Sequence, residues 1–245
     1  MPPANENMTD GANYKSRGYT ATLPAYIQVR KTIDMMNTLK DGSNICAWSG
    51  TARRELFAGG DVDVVDDAGN IIGTSPKLAL VVVSRMFREH FEAHPDAKQV
   101  KITSTTIDAQ AVDVLLGWVK SILNGNGKWG VSVPASPLRL IKVRHAAYEL
   151  SMHQYIRHFQ RTYKDGLRDR TPNPEECGLM ERCAIGPKDD MVTGLGERLA
   201  YLRRRGEFNA ASIAALADFL KDHPMIKQAV MDADYRAANL ISRRF

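Results

Sequence analysis

The sequence predicts an α+β fold, a small sheet with helical hairpins followed by an all-helical C-terminal region. Three patterns carry this. Asp61 to Val65 alternates acidic and apolar residues with the period of a half-buried strand. From Leu80 onward apolar residues recur at spacings of three and four, the period of a helix face. Beyond the polar run Gly166 to Pro174, every apolar stripe keeps that helical period.

Residues 1–22 are polar and rich in Asn, Gly and Pro, with too few apolar groups to offset the entropy of ordering, and are expected to form a disordered tail. Pro24 then opens a helix on which Tyr26, Val29, Ile33, Met36 and Leu39 recur at three and four, with Gly42 as its stop. This helix is amphipathic. Periodicity leaves open whether its stripe packs on its own domain or on a second copy. The connection Ser43 to Gly60 offers Trp48 with Arg53 and Arg54 as a contact surface, and Leu56 and Phe57 as anchors to the core.

In the strand, Val62 and Val64 share one face and Asp61 and Asp63 the other. Asp66, Asp67, Ala68, Gly69 and Asn70 supply turn chemistry, and Ile71 and Ile72 resume an apolar strand, so a β-hairpin is predicted. Ser75 is placed as N-cap and Pro76 as first residue of a helix whose one face carries Leu80, Val83, Ser84, Phe87 and Phe91. His94 and Pro95 end it. Lys98 to Ile102 reads as a short strand, and Asp108 caps a helix that turns Val112, Leu115, Leu116 and Val119 inward.

Gly125, Gly127 and Gly130 satisfy Gly-x-Gly-x-x-Gly literally. A dinucleotide site needs a strand before such a loop and a helix N-terminus after it; here a helix precedes and the extended Val131 to Pro134 follows, so a plain loop is expected. Ser136 and Pro137 start a helix with Leu138, Ile141, His145, Tyr148 and Met152 near one face, His145 reading as a hydrogen-bonded core residue. His153 and His158 are spaced too far around a helix to form a metal pair. Between Tyr155 and Arg170, arginines are mixed with Tyr155, Phe159 and Tyr163, a composition that suits either nucleic acid or a packed helix with a solvated basic face.

Gly166 to Pro174 is the best boundary, which divides the chain into residues 1–22, 23–164 and 165–245. In the last part, Leu195, Leu199 and Leu202 form one stripe, Ile213, Leu216 and Leu220 a second, and Ile226, Val230, Ala233 and Ala237 a third. Arg203 to Arg205 suits either a nuclear-import signal or a helix C-terminus.

A hairpin followed by Leu80, Ser84, Phe87 and Phe91 in the pattern Leu-x-x-x-Ser-x-x-Phe-x-x-x-Phe resembles the start of a BTB/POZ domain. The likeness continues through Val100 to Ile102 as the third strand, Ala109 to Val119 as the Leu-Leu-aromatic helix, and Leu138 to Met152 as a helix with Ala146 and Ala147 before a Leu-x-Met end. It covers roughly residues 58–163, and Pro76 stands where that family usually has His. The resemblance implies an intracellular protein-interaction fold with Val62, Val64, Leu80, Ser84, Phe87, Phe91, Leu115 and Leu116 in its core. It also implies a homodimer across the helix bearing Tyr26, Val29, Ile33, Met36 and Leu39. Two jobs compete within it: an adaptor for cullin ubiquitin ligases, whose hydrophobic-x-Glu feature is echoed by Phe87-Arg88-Glu89, and a transcriptional or scaffold role.

Composition is that of a globular protein, with 44% hydrophobic and 25% charged residues, and no apolar run reaches the length of a membrane span. The N-terminal residues lack the apolar core of a secretion signal, so an intracellular location, nucleus or cytoplasm, is expected. Three cysteines, Cys46, Cys177 and Cys183, are too few and too irregular for a disulfide framework or a four-ligand zinc site. Asp66-Asp67 and Asp189-Asp190 read as solvated turn carboxylates. No nucleophile with a positioned base, metal cluster or phosphate loop emerges, so neither enzyme nor cofactor is expected. The expected partners are a second copy of the chain and another protein, recruited as adaptor or scaffold. A net charge of +5 permits nucleic acid, as in a transcriptional regulator with a basic C-terminal half, but interleaved Asp and Glu residues argue against it.

Overall fold

A computed structural model describes residues 23–104, 106–125 and 129–242 of the chain, and the expected tail, residues 1–22, lies outside them. The fold is mixed α and β and mostly helical. Helix α1 (Ala25–Thr38) leads into a 3-10 turn at Ile45–Ala47, helix α2 (Gly50–Glu55) and a second turn at Leu56–Gly59. Strands β1 (Asp61–Val65) and β2 (Ile71–Pro76) precede α3 (Lys77–Val83), α4 (Arg85–Ala93) and β3 (Gln99–Lys101). Helices α5 (Ala109–Leu123) and α6 (Pro137–Glu149), then α7 (Arg157–Leu167), α8 (Pro174–Arg182), α9 (Asp190–Arg204), α10 (Ala210–Asp222) and α11 (Pro224–Ser242) complete it.

The sheet has the order β2-β1-β3. β1 runs antiparallel to β2, with Val62 opposite Ser75 and Val64 opposite Gly73, and parallel to β3, with Val64 opposite Val100. Val62 and Val64 are buried while Asp61 is exposed, as period two requires. In the turn, Gly69 takes the positive φ, and the Asp66 carboxylate accepts hydrogen bonds from both the backbone and the side-chain amide of Asn70.

The segment after the hairpin departs from expectation in two ways. Ser75 belongs to β2 and is fully buried, and Pro76 stands as N-cap of α3 rather than its first residue. What was expected as one continuous helix is two, because Ser84 turns extended, with φ −138° and ψ 127°. Three bonds make that break stable. Ser84 Oγ accepts from Phe87 N and donates to the Leu150 carbonyl at 2.6 Å, while Arg88 Nε donates to Val81 O, one of the carbonyls left open at the end of α3. Leu80, Ser84, Phe87 and Phe91 are thus all enclosed, but from two helices. Leu115 and Leu116 of α5 are enclosed with them.

Asp108 caps α5 through Ala111 N, and α5 covers β2 and packs on α6. Gly125 follows α5 with φ 76°; residues 126–128 of the glycine loop lie outside the described residues. His145 is buried, its Nε2 bonded to Thr106 Oγ1. His153 stacks on Tyr148 and His158 Nε2 bonds Val131 O, so the two histidines serve separate contacts. Tyr155, Phe159 and Tyr163 are all buried, while Arg157, Arg161 and Arg168 are exposed.

A single apolar core runs from Val29 to Ala233 across the expected boundary at Gly166 to Pro174. Two buried charge sites hold the C-terminal helices to it. Glu176 on α8 accepts from Tyr163 Oη on α7 and pairs with both guanidinium nitrogens of Arg170, at 2.5 and 2.6 Å. Asp189, expected to be solvated, is instead buried: it caps α9 through Met191 N, accepts from Ile185 N and pairs with Arg144 of α6 at 2.7 Å. Glu181 of α8 caps α11 through Met225 N and Ile226 N. At the crossing of α9 and α11 a Cβ on Gly196 would lie 2.4 Å from the Ala229 Cβ, so glycine sets that close approach. Of the three C-terminal stripes, the first and third are buried, apart from Ala237 at the end of the third, which is partly exposed. The stripe on α10 is buried only at Leu220, with Leu216 partly covered against the core and Ile213 exposed.

Candidate interaction surface

Helix α1 lies on α3 and α4 and on the turn Leu56–Gly59. It buries Val29, Thr32 and Met36 against them. The chain leaves it through Gly42, where an added Cβ would sit 1.8 Å from the Met36 carbonyl oxygen. No side chain fits there, so the stop expected at Gly42 is a close approach of backbone to helix end.

The five residues expected at a dimer interface do not share one fate. Met36 is in the chain's own core, and Val29 forms the buried floor beneath the helix. Tyr26 remains 60% exposed and Leu39 38% exposed, with Ile33 partly covered. Tyr26, Val29 and Ile33 come together with Phe91, Glu92 and Pro95 along a groove of about 420 Å³ between α1 and α4. On the opposite flank, Leu23 and Met35 join Trp48, Leu56 and Leu78 around a smaller groove of about 200 Å³. Sequence reasoning missed Met35 and Leu23, which fall off the stripe chosen from periodicity but stand open in the fold.

Helix α1 therefore leaves apolar side chains open on both of its flanks, Tyr26 on one and Met35 with Leu23 on the other, with Leu39 exposed just past its end, while its inner face is packed. Phe57 adds to the exposed apolar surface on the following turn, whereas it was expected to anchor that turn; Leu56 alone does so. Trp48 is likewise no contact residue. It is buried, and its indole N–H donates to Gly42 O at 2.8 Å. The loop it sits on is pinned from below by Tyr155, whose hydroxyl accepts from Ile45 N and donates to Ser43 O. Burial raises the Tyr155 phenol, so it stays protonated and able to donate.

The triplet Phe87-Arg88-Glu89 offers a partner little. Phe87 is fully enclosed, Arg88 caps α3, and Glu89 pairs on the surface with Arg85. The C-terminal arginines are paired too: Arg203 and Arg204 both reach Asp234 on α11.

Among the described residues no group of three or more His, Cys, Asp or Glu side chains is placed to hold a metal ion, and no helix is long and apolar enough to cross a membrane. All three cysteines are buried free thiols. Burial raises each of them, with the Cys177 thiol pushed up to about 12 by burial and by the neighbouring Glu176 carboxylate. Because the thiolate is the reacting form, a thiol reagent added to native protein at neutral pH should label none of them quickly, and all three should appear on denaturation. A fast-reacting native thiol would show that one of these sites is open.

No protein-family model, no curated protein and no solved structure matches the chain.

Proposed function

We propose that the chain is a protein-interaction module that self-associates through the exposed side chains of α1 and recruits another protein, as an adaptor or scaffold. The observation that carries this is the exposure along α1: Tyr26 on one flank, Met35 with Leu23 on the other and Leu39 at the end stay open around a packed inner face. Large apolar side chains left open on a surface helix cost solubility and mark a contact surface. The BTB/POZ resemblance of residues 58–163 supports the same reading, because the longer members of that family pair through a helix ahead of the first strand, the place that α1 holds ahead of β1.

A second copy is the occupant of choice for this surface. Self-complementary patches form isologous contacts, in which Tyr26 of one copy meets the same surface of the other. Replacing Tyr26 and Leu39 together by Glu places carboxylates in that contact and leaves Val29 and Met36 in the core. Light scattering should then report dimer for the parent chain and monomer for the variant, at equal melting temperatures. A variant that keeps the parent's mass would move the interface elsewhere.

A further inference from the structure

A groove of about 510 Å³ runs between α7 and α9, lined by Lys164, Leu167, Arg168, Gly194, Arg198 and Tyr201, with Glu197 and Arg204 on its walls. Its charge is lopsided. Lys164, Arg168, Arg198 and Arg204 line it with one carboxylate, Glu197, which pairs with Arg236, while Arg168 and Arg204 pair with Asp165 and Asp234 at its ends. Among the described residues neither Lys164 nor Arg198 pairs with a carboxylate; Arg198 Nε instead donates to the Arg170 carbonyl, which fixes its position.

The floor is shaped to hold Lys164 in place. A Cβ on Gly194 would meet the Lys164 Cγ at 2.9 Å, so the lysine stem lies directly against the glycine and its ammonium is carried over the groove. Beside the cations are apolar surfaces, the buried Leu167 and the 43% exposed Tyr201. Fixed cations next to apolar walls, in a cleft within the roughly 300 to 1,000 Å³ range of binding sites, select a ligand that is both anionic and apolar.

We propose that this groove takes an acidic segment of a partner protein, with carboxylates on Lys164, Arg168 and Arg198 and apolar side chains against Leu167 and Tyr201. It rests on the reading that the chain recruits a partner protein, and it names that partner's chemistry. Charge complementarity is the ground for choosing this occupant. A nucleic-acid strand suits the groove less well. Arg198 lies over the Tyr201 ring at 5.4 Å, so that face of the ring is taken and cannot stack a base.

The test uses the full chain and a fluorescein-labelled peptide of alternating glutamate and leucine, followed by anisotropy. Saturable binding that weakens as salt is raised is expected. Lys164→Ala with Arg168→Ala should weaken it about tenfold or more, the loss that follows from removing hydrogen bonds to charged groups, at an unchanged melting temperature. Lys164→Ala alone is the second variant and should give a smaller loss. Absence of saturable binding, or equal binding by both variants, would overturn the proposal. So would a labelled single-stranded DNA that binds more tightly than the peptide at physiological salt, an outcome that assigns the groove to nucleic acid. Light scattering on the same samples reads self-association separately, so failure of the groove and failure of the α1 interface remain distinguishable.

Discussion

Phe87→Ala should leave little folded protein. Phe87 is fully buried on α4, one turn beyond the Ser84 cap that joins α4 to the Leu150 carbonyl, and Phe91 lies enclosed a turn further on. Truncating a buried phenylalanine removes its transfer free energy and leaves a cavity, a combined cost of about 3–5 kcal/mol. A domain's whole stability is only about 5–15 kcal/mol, so the variant should be insoluble or melt far below the parent. The Lys77 side chain aggravates the loss. It lies over the Phe91 ring, is itself buried and donates to the Pro95 carbonyl, so collapse around residue 87 disturbs a buried charge as well. A soluble Phe87→Ala protein with an unchanged melting temperature would contradict the placement of α4 against the core.

Asp189→Ala should cost a similar amount for a different reason. The Asp189 side chain is completely inaccessible, pairs with Arg144, and accepts hydrogen bonds from Met191 N and Ile185 N. Removing it strands the Arg144 guanidinium in a site where its own side chain is 4% exposed, and opens the N-terminus of α9. Breaking a buried pair from one side costs about 3–5 kcal/mol, with loss of a helix cap about 1 kcal/mol of that order again. Replacing both partners, Arg144→Leu with Asp189→Ala, should recover part of the loss because no charge is then left buried alone. Since α6 and α9 share one continuous core, calorimetry of Asp189→Ala should show one transition moved down as a whole. Two separate transitions, with only one of them moved, would show that the residues after Gly166 fold independently.

The hairpin was legible because strand alternation and turn chemistry are both local: Val62 and Val64 alternate with Asp61 and Asp63, and Gly69 sits in the turn. Caps at Asp108 and Ser136, with Pro137 after it, were legible for the same reason, although Ser136 makes no side-chain bond to its helix. The break at Ser84 was hidden because the apolar spacing continues through it unchanged. Its cause, the Leu150 carbonyl, lies far along the chain. Asp189 was misread for the same kind of reason, its partner Arg144 being remote in sequence and its neighbour Asp190 exposed. On α1 the stripe was legible as a helix face, but its division into core and exposed residues was not. Which of its residues the chain keeps for itself depends on the angle at which α1 meets α3 and α4, and no periodicity carries that angle. The α10 stripe shows the limit from the other side: spacing predicts a face, and only Leu220 of it is buried, while Leu216 lines a groove with Pro174, Leu199 and Phe208 and Ile213 stays exposed.

Self-association is the central claim, and the mass of the unaltered full chain in solution tests it most directly. Sedimentation equilibrium should be run over a concentration range reaching tens of micromolar, about where interfaces of modest size become populated. The account predicts a mass rising to twice the 27.2 kDa of the chain. A mass that stays at 27.2 kDa throughout would contradict it and leave the exposed α1 side chains for a different partner.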